Sequence, residues 1–154
     1  MNDIVFWRHA EAHDAEFDQV DLDRKLTVKG QRNAERVAHW LDRNLPQQCR
    51  VFASEAKRAQ QTARCLPRKF KTLAQINPDA GAADVLSAVG WGEHAELTLV
   101  VGHQPWMGHC VAQLLGLGPR DWSIKKGAVW WLQRHGKGEG DAVIVRAVIS
   151  PDLT

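Results

Sequence analysis

Leu97-Thr98-Leu99-Val100-Val101-Gly102-His103-Gln104-Pro105 is the stretch on which the reading of this chain turns. Its first five residues are rich in β-branching and apolar on both faces, as a strand covered on both sides in the middle of a parallel sheet must be. Gly102 to Pro105 then turn the chain, and Pro105 can take the first turn of a helix without losing a needed donor. Met107, Val111, Leu114 and Leu115 give that helix an apolar face, and Gly116 and Gly118 end it.

Similar strand-to-helix units recur upstream. Ile4-Val5-Phe6-Trp7 is a short buried strand running into Arg8-His9. A polar loop from Ala10 to Lys25, with six acidic residues, leads to Thr27, which caps a helix. Ala34, Val37, Ala38 and Leu41 form the buried stripe of that helix, which ends near Pro46. Val51-Phe52-Ala53 is a second strand; Ser54 opens a helix with Ala59, Thr62, Ala63 and Leu66 on one face, and Pro67 stops it. Phe70 to Leu73 reads as an edge strand and Ala82 to Val89 as a short helix. Ala128 to Gln133 and Ala142 to Ile149 read as antiparallel strands joined by Gly136-Lys137-Gly138-Glu139-Gly140. The expected class is α/β: a three-layer sandwich with a mostly parallel central sheet and a C-terminal antiparallel hairpin, residues 1–154 forming one domain.

Composition narrows the function. At 154 residues, 44% hydrophobic and 25% charged, with a formal net charge of +2, the chain has no room for a second domain of ordinary size and is not disordered. The longest apolar run near its start, Ile4 to Trp7, is far short of a signal core or a membrane span, so a cytoplasmic protein with no membrane partner is expected. Interspersed charge at a pI near 8.5 argues against a nucleic-acid partner, and Arg64, Arg68, Lys69 and Lys71 read as a solvated helix end and turn. Cys49, Cys65 and Cys110 are odd in number and form no C-x-x-C pair, which points to neither a disulfide framework nor a zinc site. His13, His39, His94, His109 and His135 lack ligand spacing, and no metal or cofactor is expected. Trp106, just after the His103 turn, reads as packing or as the lining of a docking surface. The set of seven Trp, four Phe and no Tyr carries no functional reading.

In open α/β sheets, ligands bind outside the carboxyl ends of the strands. Those ends deliver Arg8 and His9, then Ser54 with Arg58 one helical turn later, then His103. An Arg-His dipeptide, a lone arginine or a helix-capping histidine is unremarkable by itself. Together, two arginines and two histidines on one crevice suit a phosphoryl group. Guanidinium forks donate paired charge-assisted hydrogen bonds, and histidine can be a nucleophile at phosphorus.

Phe6-Trp7-Arg8-His9-Ala10-Glu11-Ala12, Leu26-Thr27-Val28-Lys29-Gly30, Ser54-Glu55-Ala56-Lys57-Arg58-Ala59-Gln60-Gln61-Thr62 and Val101-Gly102-His103-Gln104-Pro105, in this order, resemble the histidine phosphatase superfamily. The short length and the Asp21-x-Asp23-Arg24-x-Leu26-Thr27 run look most like its SixA-type phosphohistidine phosphatase branch. The resemblance covers roughly residues 2 to 116. It implies that His9 attacks phosphorus and is transiently phosphorylated, with Arg8, Arg58 and His103 holding the phosphoryl oxygens and Ser54 at the substrate site. No metal takes part in that scheme, and the implied partner is a phosphohistidine-bearing protein.

Glu55 and Lys25 stand where relatives often carry proline. Gln104 replaces the aspartic acid that serves the acid phosphatase and phytase branch as proton donor. No equivalent of the mutase-like branch's glutamate is identifiable; Glu93 and Glu96 are nearest. The acidic loop offers Glu11, Asp14, Asp18, Asp21 and Asp23, with Asp21 the preferred general-acid candidate. A weak acid would favour phosphohistidine, whose imidazole leaving group has a free pKa near about 6.5 and departs with little help. Two alternatives stand beside this reading: a small-molecule phosphomonoesterase and a non-catalytic phosphoprotein-binding module. The short chain also leads to the expectation of a shallow, open crevice around His9.

Overall fold

Strand β4 (Leu97–Gly102) is buried from end to end and lies between two parallel neighbours, β1 (Asp3–Arg8) and β2 (Cys49–Ala53). A computed structural model describes residues 3–135 and 142–154. Its sheet runs β3-β2-β4-β1-β5-β6, where β3 is Lys71–Thr72, β5 is Val129–His135 and β6 is Ala142–Ile149. β3 pairs parallel to β2, while β5 pairs antiparallel to both β1 and β6. The sheet is thus mostly parallel with an antiparallel C-terminal pair. The glycine-rich turn assigned to residues 136–140 lies outside the described residues.

Alternation along the strands builds a core on each face. Val5, Trp7, Leu99 and Val101 pack with Ala34, Val37, Ala38 and Leu41 of α1 (Val28–Asn44) and with Ala59 and Ala63 of α2 (Lys57–Arg64). Ile4, Phe6 and Val100 pack with Val85 and Leu86 of α3 (Ala82–Ala88) and with Trp106, Met107, Cys110 and Val111 of α4 (Trp106–Leu114). Helices on both faces are why β1 and β4 read as continuous apolar runs.

Local chemistry sets the helix ends. Thr27 Oγ1 accepts the Gly30 amide at 2.9 Å and caps α1. At the other end Arg68 donates to the Pro46 carbonyl and, at 3.3 Å, to the Asp42 carbonyl, and it pairs with the Asp42 carboxylate at 3.2 Å. Arg68 is therefore a fastener of the α1 terminus, whereas Arg64, Lys69 and Lys71 are exposed, as a solvated cluster should be. Ser54 does not open α2: the helix starts at Lys57, and the Ser54 hydroxyl is directed elsewhere. Trp106 is fully buried against Gly102, where an added Cβ would sit 2.2 Å from its ring, so it lines no docking surface.

Gly30 fixes how closely α1 approaches the loop after β1. A Cβ there would lie 2.0 Å from the Glu11 carbonyl oxygen, a backbone atom that cannot swing aside. Gly30→Ala should cost about 1–3 kcal/mol of unfolding free energy, read from the urea midpoint, by forcing α1 away from the loop that carries His9.

Candidate active site

Parallel pairing of β1 and β4, with Arg8 opposite Gly102, brings the next residues of both chains together. The His9 amide donates to the Gly102 carbonyl at 3.0 Å, and the His9 and His103 ring centroids stand 5.2 Å apart. β2 ends level with β4, where the Ser54 amide reaches the Val101 carbonyl at 3.4 Å. The first turns of α2 then direct Arg58 inward. Arg8, His9, Ser54, Arg58 and His103 thus gather at one edge of the sheet, and His9, Arg58 and His103 are 5%, 4% and 1% exposed.

These exposures overturn the expected shallow, open crevice. Both imidazoles are recessed, and the loop after β1 folds back so that Asp21 covers Arg58. Hydrogen bonds hold the loop in this position. The Arg24 Nε donates to the His13 carbonyl at 2.7 Å, and the His13 amide donates to Lys25 at 2.8 Å, closing the loop on itself.

Each ring has a defined partner. His9 Nδ1 lies 2.7 Å from the Ala10 carbonyl, which can only accept, so Nδ1 carries the proton and Nε2 keeps its lone pair. Burial, partly opposed by that hydrogen bond and reinforced by the Arg58, Arg8 and Arg24 charges, pushes the His9 pKa down to about 3. His103 Nε2 is 2.6 Å from Ser54 Oγ, which also accepts the Ala56 amide at 3.3 Å. The Ser54 hydroxyl can donate to Nε2 or accept from it; donation places the His103 proton on the buried Nδ1, which has no partner among the described residues. Burial, then repulsion between His103 and a protonated His9, then the Arg58, Arg8 and Arg24 charges, hold the His103 pKa down at about 2.

The arginines are held from behind. Arg8 Nη1 donates to the Ile124 carbonyl at 2.7 Å, and the Gly127 amide donates to the carbonyls of Arg8 and His9 at 3.1 and 3.0 Å. Burial and the neighbouring Arg58 lower the Arg8 pKa, yet a guanidinium remains charged at any working pH. Arg58 donates from Nη1 to the Asp21 carbonyl at 2.9 Å and from Nη2 to its carboxylate at 3.1 Å. The Nε of each arginine is buried and unpaired among the described residues. Thr62, one turn beyond Arg58, donates to the Arg58 carbonyl at 2.7 Å and accepts the Ala10 amide at 3.1 Å, tying α2 to the His9 loop. Helical spacing from Arg58 could have singled out Thr62; the role of the Ile124 carbonyl has no sequence signal.

Two sequence-assigned groups have other engagements. Ser54 is fully buried and its hydroxyl bonds His103 and Ala56, so its link to the crevice runs through His103. Burial is the largest single influence on Asp21 and favours its neutral form, but hydrogen bonds from Arg24 and Arg58, together with their charges, outweigh it in sum and hold the carboxyl below the usual range. A carboxylate held below the usual range by two guanidinium groups serves Arg58 as a counter-charge, which counts against the general-acid role preferred for Asp21 from the sequence. Glu11 faces Lys29 at 3.8 Å and Asp23 faces Lys57 at 3.9 Å. Glu96 immediately precedes β4 and so lies at the opposite end of that strand from His103. The Glu55 amide donates to Asn77 Oδ1 at 2.9 Å, a bond that proline could not make. Among the described residues no group of three or more His, Cys, Asp or Glu is placed to hold a metal ion.

Residues 4–85, over half of the chain, match the profile of the histidine phosphatase superfamily (branch 1). The chain belongs to that superfamily, and phosphatase is the activity class that membership supports. Among solved structures it is similar to a proposed phosphohistidine phosphatase SixA from Nakamurella multipartitia, with 23% identity, a TM-score of 0.78 and coverage of 97% of this chain and 96% of that one. A second proposed SixA, from Agrobacterium tumefaciens, shares 19% identity at a TM-score of 0.80 over 97% and 99% of the two chains. A phosphoserine phosphatase variant from Entamoeba histolytica aligns nearly as well, at 13% identity and a TM-score of 0.75 over 98% of each chain. At such identities these likenesses establish the fold. No curated protein matches the sequence.

The depressed histidine pKa values set a sign for pH dependence. His9 and His103 stay neutral in the folded protein while their unfolded counterparts protonate near 6.5, so their stabilising contribution is intact above about pH 6.5 and declines as pH falls toward 3. Histidine ring resonances followed by NMR should show neither ring titrating between about pH 5 and 8. Urea unfolding of wild type should weaken below about pH 6.5 more steeply than that of His103→Asn. A His9 midpoint near 6 would contradict the site's electrostatics.

Proposed function

We propose that this protein hydrolyses phosphohistidine borne on another protein, a phosphotransfer domain or phosphocarrier, through a phosphorylated His9. The observation that carries the reading is the free Nε2 of a neutral, buried His9 set among Arg8, Arg58 and His103. Nε2 attacks phosphorus, the phosphorus–nitrogen bond of the substrate breaks, and the departing imidazole takes a proton from solvent. Water then attacks the enzyme's phosphohistidine, releasing inorganic phosphate and restoring His9. Arg8, Arg58 and the Nδ1 proton of His103 stabilise charge on the transferred oxygens with donors already in place. Ser54 acts as a positioning residue by fixing the His103 tautomer.

The ionised state of Asp21 favours phosphohistidine over phosphate esters, because an alkoxide needs a proton that this site does not hold ready. Similarity to structures described as SixA phosphatases supports the same substrate. The recessed position of His9 favours the second reading, a small-molecule phosphomonoesterase, to which the phosphoserine phosphatase likeness also points. A free nucleophile argues against a module that only binds. Free thiols at Cys49, Cys65 and Cys110 fit a reducing cytoplasm.

Phosphate release from a phosphohistidine protein should exceed release from phosphoserine and sugar phosphates, should resist chelators, and should vanish in His9→Ala. Preferential ester hydrolysis would transfer the assignment to the second reading, and full binding without any turnover to the third. Arg58→Ala should lower kcat/KM roughly a thousandfold, as loss of an arginine that stabilises the transition state does. Asp21→Asn, which keeps an acceptor for Arg58, should change kcat by less than about tenfold; a drop of about a hundredfold or more would restore Asp21 as general acid.

A further inference from the structure

A cleft of about 630 Å³ opens beside the loop that carries His9, and nothing in the phosphoryl chemistry uses it. One wall is the outer face of α1, where Lys29, Arg32 and Arg36 follow each other at three- and four-residue spacing, away from the buried stripe. The facing wall is Lys125 and Lys126, directly after the Ile124 carbonyl that holds Arg8. Lys29 pairs with Glu11. Arg32, Arg36, Lys125 and Lys126 are exposed, and among the described residues their side chains have no acidic or hydrogen-bonding partner.

Unpaired cations gathered on both walls of a cleft repel one another and draw in anions. From Lys29 to Arg36 the helix rises about 10 Å, wider than one phosphate can bridge but suited to carboxylates spaced along a partner helix. The lining sets five cations against the two carboxylates Glu11 and Asp152, and it has no aromatic ring for nucleic-acid bases to stack on. We propose that this cleft docks an acidic protein surface, the carboxylate-rich flank of the protein that delivers the phosphohistidine. The proposal rests on the phosphohistidine reading for the partner's role, and on charge and shape for the site.

The test uses two triple variants of equal charge change, Arg32→Glu/Arg36→Glu/Lys126→Glu in the cleft and Arg64→Glu/Lys69→Glu/Lys71→Glu on the other basic cluster. A fluorescent, unphosphorylated glutamate-rich peptide is titrated by anisotropy. Phosphohistidine peptides with glutamate or serine flanks are assayed for turnover, with a small phosphoramidate as control. Wild type should bind the glutamate-rich peptide in a salt-sensitive way and favour the acidic-flank substrate by at least about tenfold, the difference lying in KM. The cleft variant should lose both properties while hydrolysing the small phosphoramidate normally, and the other variant should keep both. Equal binding by wild type and the cleft variant, equal losses in the two variants, or displacement of the peptide by single-stranded DNA of the same charge at lower concentration would overturn the proposal. If neither phosphohistidine peptide is hydrolysed, yet the glutamate-rich peptide binds wild type and not the cleft variant, the docking site stands and the phosphohistidine reading falls.

Discussion

The parallel register that sets Arg8 opposite Gly102 is the constraint on which everything at the site depends. Because β1 and β4 end level, the residues that leave them, His9 and His103, emerge side by side, and the His9 amide closes the pair on the Gly102 carbonyl. Slipping one strand by a residue would reverse which side chains face each core and separate the imidazoles. That register is enforced by two apolar layers, with Val5 and Trp7 on one side and Ile4 and Phe6 on the other, so the energy that positions the histidines is mostly hydrophobic burial well away from them.

Around that pair, backbone carbonyls do more than carboxylates to set the chemistry. Ala10 orients His9, Ile124 orients Arg8, and the Asp21 carbonyl shares Arg58 with its own carboxylate. A carbonyl can only accept, so it fixes which nitrogen carries the proton without adding a full charge that would hold an imidazole protonated. Burial among arginines then leaves both imidazoles neutral. An imidazole kept neutral in this way, with Nδ1 on the Ala10 carbonyl, needs no carboxylate to deprotonate it.

The central strand was legible because both its faces are covered, which leaves an unbroken apolar run at Leu97 to Val101. Thr27 was legible because a cap acts within its own turn. Arg8, His9, Arg58 and His103 could be named from strand ends and ordered motifs. What the sequence hid were long-range bonds from side chains to backbone. Ser54 looks like a helix opener until His103, 49 residues away, takes its hydroxyl. Arg68 looks solvated until it folds onto the end of α1. The acidic loop looks open to water, yet Arg24 and Arg58 draw Asp21 over the site and make it recessed. None of these has a period or a spacing, so each becomes visible only when the partners are seen together.

The most direct test of the central claim is the identity of the atom that bonds phosphorus. Protein labelled with nitrogen-15 histidine would be phosphorylated by substrate, quenched in alkali, and examined for phosphorus–nitrogen coupling. Phosphorus on Nε2 of His9 is the predicted result, because Nδ1 is committed to the Ala10 carbonyl. Phosphorus on Nδ1, on His103 or on any other residue would contradict it, as would rapid turnover in a His9→Ala variant.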